Sequence, residues 1–135
     1  MADIEINITD NSGEVLKALE QQTQAALTAI GITAEGFAKK KTPVDLGTLR
    51  NSITNTVRGD EVYIGTNIPY APYVELGTGI YATDGKGRKS PWSYQDRNGK
   101  WHRTKGMKPH HMLRDAAAKH SNEYKAIIER YLKGE

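Results

Sequence analysis

His102, His110 and His111 are the side chains best suited by type to hold a metal ion, yet their spacing argues against it. Adjacent histidines on one helical turn point about 100° apart and do not readily share an ion. No His with a second His four residues on and a carboxylate between them occurs in the chain. The simpler reading is a basic, partly solvated segment, so no metal and no cofactor are expected. Ser12, Ser52, Ser90, Ser93 and Ser121 lack the glycine-flanked strand-to-helix elbow of a nucleophilic serine. Gly77-Thr78-Gly79 and Gly85-Lys86-Gly87-Arg88-Lys89 fit neither the phosphate-loop nor the dinucleotide spacing. Asp45 and Glu75 form a conceivable carboxylate pair, but a capping role suits Asp45 better than acid-base work. No catalytic residue is therefore expected, and the chain reads as a non-enzyme. What remains is recognition: Trp92, Tyr94, Arg97, Trp101 and Arg103 interleave rings with cations. That mixture suits single-stranded nucleic acid, through stacking and phosphate contacts, and equally suits a protein interface anchored by aromatic side chains. Protein contact is placed first, because a small domain with many exposed aromatics normally needs a partner to cover them.

The elements that must position these residues follow from periodicity. Ile4, Ile6 and Ile8 alternate with polar residues, as in a short half-buried strand. Asp10, Asn11 and Ser12 offer caps for a helix whose apolar stripe, Val15, Leu16, Leu19, Ala26, Leu27, Ile30, Phe37 and Ala38, runs to about Lys41. Gly31 and Gly36 lie inside it and mark a bend or a close approach. Lys39, Lys40 and Lys41 suit the carbonyl end of the helix, and Pro43 stops it. Asp45 is placed to cap the next helical turn, and Gly47 to adopt a backbone angle other residues resist. Segments 52–58 and 61–65 form a hairpin about Gly59-Asp60, with Ile53, Val57, Val62 and Ile64 as its apolar members. Tyr70 to Leu76 form a short helix ended by Gly77-Thr78-Gly79, and Ile80 to Ala82 return as a strand. Residues 92–95 and 100–104 flank Asn98-Gly99, a strong turn signal for a projecting hairpin. Pro109 opens a C-terminal helix with Met112, Leu113, Ala116, Ala117, Tyr124, Ile127, Ile128, Tyr131 and Leu132 on its apolar face. The expected fold class is α+β: a long N-terminal helix and a C-terminal helix packed on a small, mainly antiparallel β-sheet, with a projecting β-hairpin insertion.

A chain of 135 residues without cysteine fits one domain with a real core and no disulfides. Residues 1–135 are read as a single domain with an insertion at about 83–108. The first ten residues carry acids where a signal peptide needs bases, and no apolar run is long enough to cross a membrane. A cytoplasmic start and no membrane partner are expected. The net charge of +3 is unevenly spread. Between Thr83 and His111, Lys86, Arg88, Lys89, Arg97, Lys100, Arg103, Lys105 and Lys108 stand against Asp84 and Asp96, giving +6 there and −3 elsewhere. Such a segment suits phosphate or an acidic protein patch.

Two segments carry a family resemblance. Lys39-Lys40-Lys41-Thr42-Pro43-Val44-Asp45-Leu46-Gly47-Thr48-Leu49-Arg50-Asn51-Ser52-Ile53 resembles the segment that follows the first helix in head-tail joining or tail-completion proteins of long-tailed bacteriophages and prophages, commonly "Pro-Val-Asp-Thr-Gly-x-Leu-Arg-x-Ser". Ile64-Gly65-Thr66-Asn67-Ile68-Pro69-Tyr70-Ala71-Pro72-Tyr73-Val74-Glu75-Leu76-Gly77-Thr78-Gly79 is similar to the same family's "Tyr-Ala-x-Tyr-x-Glu-x-Gly-Thr" motif. Residues 109–116 resemble its "Pro-x-x-Phe-Leu-Arg-x-Ala", so the three stretches occur in the family's order. Leu46 stands where threonine is frequent, His111-Met112 stand in place of an aromatic, and the segment 83–108 exceeds a minimal member. Pro43, Asp45, Gly47, Leu49, Arg50, Tyr70, Tyr73, Glu75 and Gly77 are thus the family-motif residues. By chemistry, Glu75 pairs either with Arg50 or with a cation of a neighbouring subunit.

The resemblance implies a structural virion protein that completes the tail and joins it to the head as a subunit of a neck ring. It implies a homo-oligomeric ring, other neck and tail proteins as partners, and transient contact with DNA in the channel. The protein would start in the host cytoplasm and end in the virion. A tail terminator of the same assembly, or a small nucleic-acid-binding module using residues 83–111, are the alternatives.

Overall fold

The computed structural model describes residues 12–134; the expected strand at Ile4 to Ile8 and the caps at Asp10 and Asn11 lie outside them. Helix α1, Ser12–Lys41, runs unbroken for 30 residues and ends in Lys39, Lys40 and Lys41, as the charge pattern requires. Its two halves differ. In the second half Ala26, Ile30, Gly31, Ala34 and Ala38 are buried, and these mostly small residues let neighbouring backbone approach closely. At Gly31 an added Cβ would stand 2.6 Å from Asn55 Oδ1, so this glycine marks a close approach and not a bend. In the first half the expected apolar stripe is uncovered: Val15, Leu16 and Leu19 are 54%, 65% and 47% exposed. The periodicity is that of a packed helix, but nothing among the described residues packs there.

After the Pro43 corner come α2 (Gly47–Ser52), β1 (Thr54–Arg58) and β2 (Glu61–Gly65). The two strands pair antiparallel from Thr54↔Gly65 to Arg58↔Glu61 and lie against α1. Ile53, expected in the strand, instead caps α2 and is fully buried. Helix α3 (Ala71–Leu76) follows, and Gly79–Tyr81 then form a 3-10 turn where a strand was expected. Backbone pairing with the far end of the insertion, through Thr78 N–H to Met107 O and Ile80 N–H to Lys105 O, replaces a strand ladder there.

Strands β3 (Trp92–Gln95) and β4 (Trp101–Thr104) form the second hairpin. It makes no more than marginal contact with any other described helix or strand. The strands therefore build two separate ribbons, the small antiparallel sheet of β1 and β2 and the projecting hairpin of β3 and β4. The class is α+β, with a projecting hairpin insertion.

The expected C-terminal helix is two helices. It starts three residues after Pro109, as α4 (Met112–Ala118), and breaks at Lys119 and His120 before α5 (Ser121–Leu132). Neither glycine nor proline signals this break. It is held by packing: Phe37 stacks on His120 with ring centroids 3.6 Å apart, and the Tyr124 hydroxyl donates to the Ala116 carbonyl. The bend keeps both helices against α1. Core residues form two clusters, Leu49, Ala71, Val74 and Met112 in one and Ala38, Ile53 and Ala116 in the other, with Leu113 packed against both.

Candidate functional site

The corner after α1 is rigid, but not by the means its sequence suggests. Thr42 is buried, and its hydroxyl donates to the Ala38 carbonyl at 2.8 Å. The Leu46 amide donates to Pro43 O at 3.1 Å, which closes the turn. Asp45 is exposed and the α2 N-cap position belongs to Leu46, with no side-chain cap bond. Gly47 has no positive φ, and an added Cβ there would meet nothing within 4 Å. The expected capping by Asp45 and the special backbone at Gly47 are thus not what fixes the corner. Its anchor is Leu49, which is fully buried. Pro43 is half-buried where α1 stops.

The tyrosine turn is tied to the start of α4. Glu75 accepts the amides of Leu113 and Arg114 at 2.9 Å each, one on Oε2 and one on Oε1. These are first-turn N–H groups of α4, which have no partner inside their own helix. The last carbonyls of α3 accept in turn, Val74 O from His110 N–H at 2.9 Å and Glu75 O from His111 N–H at 3.2 Å. Glu75 is therefore a capping carboxylate contributed by another helix. It makes no ion pair with Arg50 among the described residues. Spacing could not reveal this, since the partners are 38 and 39 residues apart. Tyr70 caps α3 and Tyr73 lies on it, both exposed. Beside them a cleft of about 390 Å³ is lined by Ile68, Pro69, Pro72, Glu75, Leu76 and Leu113.

Gly77 and Gly79 both have positive φ and sit where backbone from the insertion presses closest. A Cβ on Gly77 would meet the Met107 and Tyr81 carbonyls at 2.9 Å. His111, immediately before α4, is the one non-glycine residue with positive φ among the described residues, at 48°. Its Nδ1 is buried without a partner, and burial, followed by the nearby Arg114 charge, pushes its pKa below the ordinary histidine value.

Asp115 is a site residue that sequence reasoning missed. It is buried at 4% exposure and receives Lys41 from α1, Lys119 at 3.3 Å and Arg114 at 3.4 Å. A carboxylate among the apolar positions of a helix, in a chain with three lysines ending another helix, was the available signal.

On the insertion, the register Trp92↔Thr104, Ser93↔Arg103, Tyr94↔His102 and Gln95↔Trp101 decides the layout of the expected interface residues. Trp92, Tyr94 and His102 share one face, while Trp101 and Arg103 share the other. The rings therefore do not form one aromatic patch. Trp92 is half-buried with the Arg88 guanidinium 5.7 Å from its ring, and Tyr94 stacks on His102 at 5.3 Å. Trp101 stands 66% exposed beside Arg103. At the tip, Arg97 is exposed, and Asp96 accepts the Asn98 and Lys100 amides at 2.9 Å each and pairs with His102 at 2.7 Å. The His102 hydrogen bond, then the Lys100 and Asn98 amides, hold the Asp96 carboxyl below its ordinary range. His102 is thus committed to the turn. His110 donates its backbone amide to α3, and among the described residues no group of three or more His, Cys, Asp or Glu is placed to hold a metal. No described helix is long and apolar enough to cross a membrane.

Residues 7–77 match the sequence model of the family described as "Bacteriophage HK97-gp10, putative tail-component". No curated protein and no solved structure matches the chain. The matched stretch takes in the described part of α1, the Pro43 corner, the β1–β2 hairpin and the tyrosine turn, and stops short of the insertion. Since it spans just over half of the sequence, and holds the Pro43 motif and the tyrosine motif as far as Gly77, the chain belongs to the HK97-gp10-like family of bacteriophage tail components.

Proposed function

We propose that this protein is a non-enzymatic subunit of a ring that completes the tail and joins it to the head, made in the host cytoplasm and retained in the virion at that junction. The observation that carries the reading is the uncovered apolar stripe of α1, inside the family-matched region: Val15, Leu16 and Leu19 keep a packed helix's spacing without a described partner. A closed ring needs a heterologous contact, in which one surface of a copy meets a different surface of the next. Each copy has candidates for both sides. The α1 stripe is one, and Tyr73 with Ile80, beside the insertion base, is another, both exposed. Burying what remains exposed of these three aliphatic side chains at every joint contributes about 3 kcal/mol, on the order of 1 kcal/mol each.

The double substitution Leu16→Asp with Leu19→Asp tests this. Both positions are exposed, so the monomer should unfold at an unchanged temperature. Native mass spectrometry and electron microscopy of the variant should show no rings, and phage carrying it should yield unjoined heads and tails. Rings and infectious particles at normal yield from the variant would remove the α1 stripe from the ring contact.

A further inference from the structure

We propose that the insertion of residues 83–108 is a DNA-binding arm, which grips the phosphate backbone of a duplex without reading its sequence. All eight Lys and Arg of the insertion are exposed. None forms an ion pair with a carboxylate among the described residues. Elsewhere four cations are paired, Lys39 with Glu35, and Lys41, Arg114 and Lys119 with Asp115, and the unpaired ones do not gather in one short segment as these eight do. The two acids of the insertion do not neutralise its cations. Asp84 accepts the Lys86 backbone amide, and Asp96 is committed to its own turn and to His102. A local charge of +6 is therefore left facing solvent.

Shape and composition favour a polyanion over a protein partner. The cores of protein interfaces are depleted of charge and rich in clustered aromatics, whereas the β-register puts Trp92 and Trp101 on opposite faces of this ribbon. The Trp101 face carries Ser93, Gln95 and Arg103, all exposed. A two-stranded ribbon is also one of the shapes that the major groove of duplex DNA admits. Arg97 and Lys100 at the tip and Arg103 and Lys105 along and below β4 give phosphate contacts from end to end of the hairpin. The base is stiff, because Thr78 donates its amide to Met107 O at 2.8 Å and accepts the Met107 amide on its hydroxyl at 2.8 Å. The arm therefore holds its cations out from the body at low conformational cost. This inference goes beyond the ring and does not depend on it.

The experiment is fluorescence anisotropy of the full chain with a fluorescein-labelled, mixed-sequence duplex. If about four phosphates are engaged, affinity falls roughly 150-fold between about 50 and 200 mM KCl. A-T-rich and G-C-rich duplexes should bind alike. The variant R97Q/K100Q/R103Q/K105Q changes only exposed side chains, and should unfold at the original temperature while losing most of the affinity and of the salt slope. The variant K17Q/K125Q, on exposed helix positions elsewhere, should bind as the original does. No binding at the lower salt, undiminished binding by the quadruple variant, or equally tight binding of polyglutamate would each overturn the assignment. Ring formation is scored separately on the same quadruple variant: rings without DNA binding leave the assembly reading intact, and DNA binding without rings leaves the arm intact.

Discussion

Replacing Glu75 with alanine lowers the stability of the protein by about 3 kcal/mol, measured as a shift of the denaturant midpoint at constant slope. The magnitude follows from what its two oxygens do. Each accepts one first-turn amide of α4, from Leu113 and from Arg114, and a hydrogen bond to a charged acceptor contributes about 1.5 to 3 kcal/mol. Arg114 is exposed, so water recovers part of its share, whereas Leu113 is packed against both core clusters and its amide is left without a partner. The alternative role for this residue, an ion pair with Arg50, predicts under 1 kcal/mol, because such pairs are worth little at a solvated surface. Glu75→Gln separates the two, since an amide oxygen still accepts one of the bonds: it should recover roughly half of the loss. An Arg50→Gln substitution that destabilised as much as Glu75→Ala would contradict the capping role.

Gly79→Ala costs about 3 kcal/mol or more, through steric conflict that no side-chain rearrangement relieves. Its φ of 63° is unfavourable for alanine by about 1 kcal/mol. An added Cβ would also overlap the carbonyl oxygen of Lys105, which already accepts the Ile80 amide. Gly87 and Gly106 meet the same kind of obstacle, from the Gly79 and Thr78 carbonyls. Three chain segments thus cross at the insertion base with no room for a side chain. The substitution should force the base apart, and limited proteolysis should then cut the insertion faster. Gly36→Ala is the control of opposite sign. This helical glycine has nothing within 4 Å of an added Cβ, so alanine should stabilise by about 0.5 to 1 kcal/mol. Equal and small effects at both glycines would mean that the crossing at the base is not as tight as described.

These residues show what sequence makes legible. Local signals were sufficient for local structure: Lys39 to Lys41 followed by Pro43 marked the end of α1, and Gly59-Asp60 and Asn98-Gly99 marked both hairpin turns. They failed where a distant partner decided the outcome. Residues 119–120 have nothing in their own sequence to break a helix, and the break depends on Phe37, more than eighty residues earlier, stacking on His120. Glu75 is ordinary by spacing and becomes a cap only because α4 begins beside it. Asp45 was the better cap by type and position, yet it points no acceptor at α2. The α1 stripe is legible as a stripe, while the exposure of its first half is not. Periodicity reports that a face is apolar and says nothing about whether its partner is in the same chain. For the site, the motif residues were legible as a set while the roles of Asp45, Gly47 and Glu75 were not, since those depend on distances across the fold.

The same division runs through the functional account. The family-matched stretch builds the corner and the tyrosine turn, which pack with α4 about one core cluster. Among the described residues, the surfaces left exposed include an apolar stripe at one end of α1 and a cationic ribbon beyond the matched region. A scaffold that spends its motif on rigidity and leaves such surfaces open suits a part that is completed by its neighbours. Negative-stain electron microscopy of lysates from phage unable to make this polypeptide tests that claim most directly. The account predicts DNA-filled heads and full-length tails lying separate, rejoined when the protein is supplied in trans. Intact, infectious particles at the normal yield in its absence would contradict it.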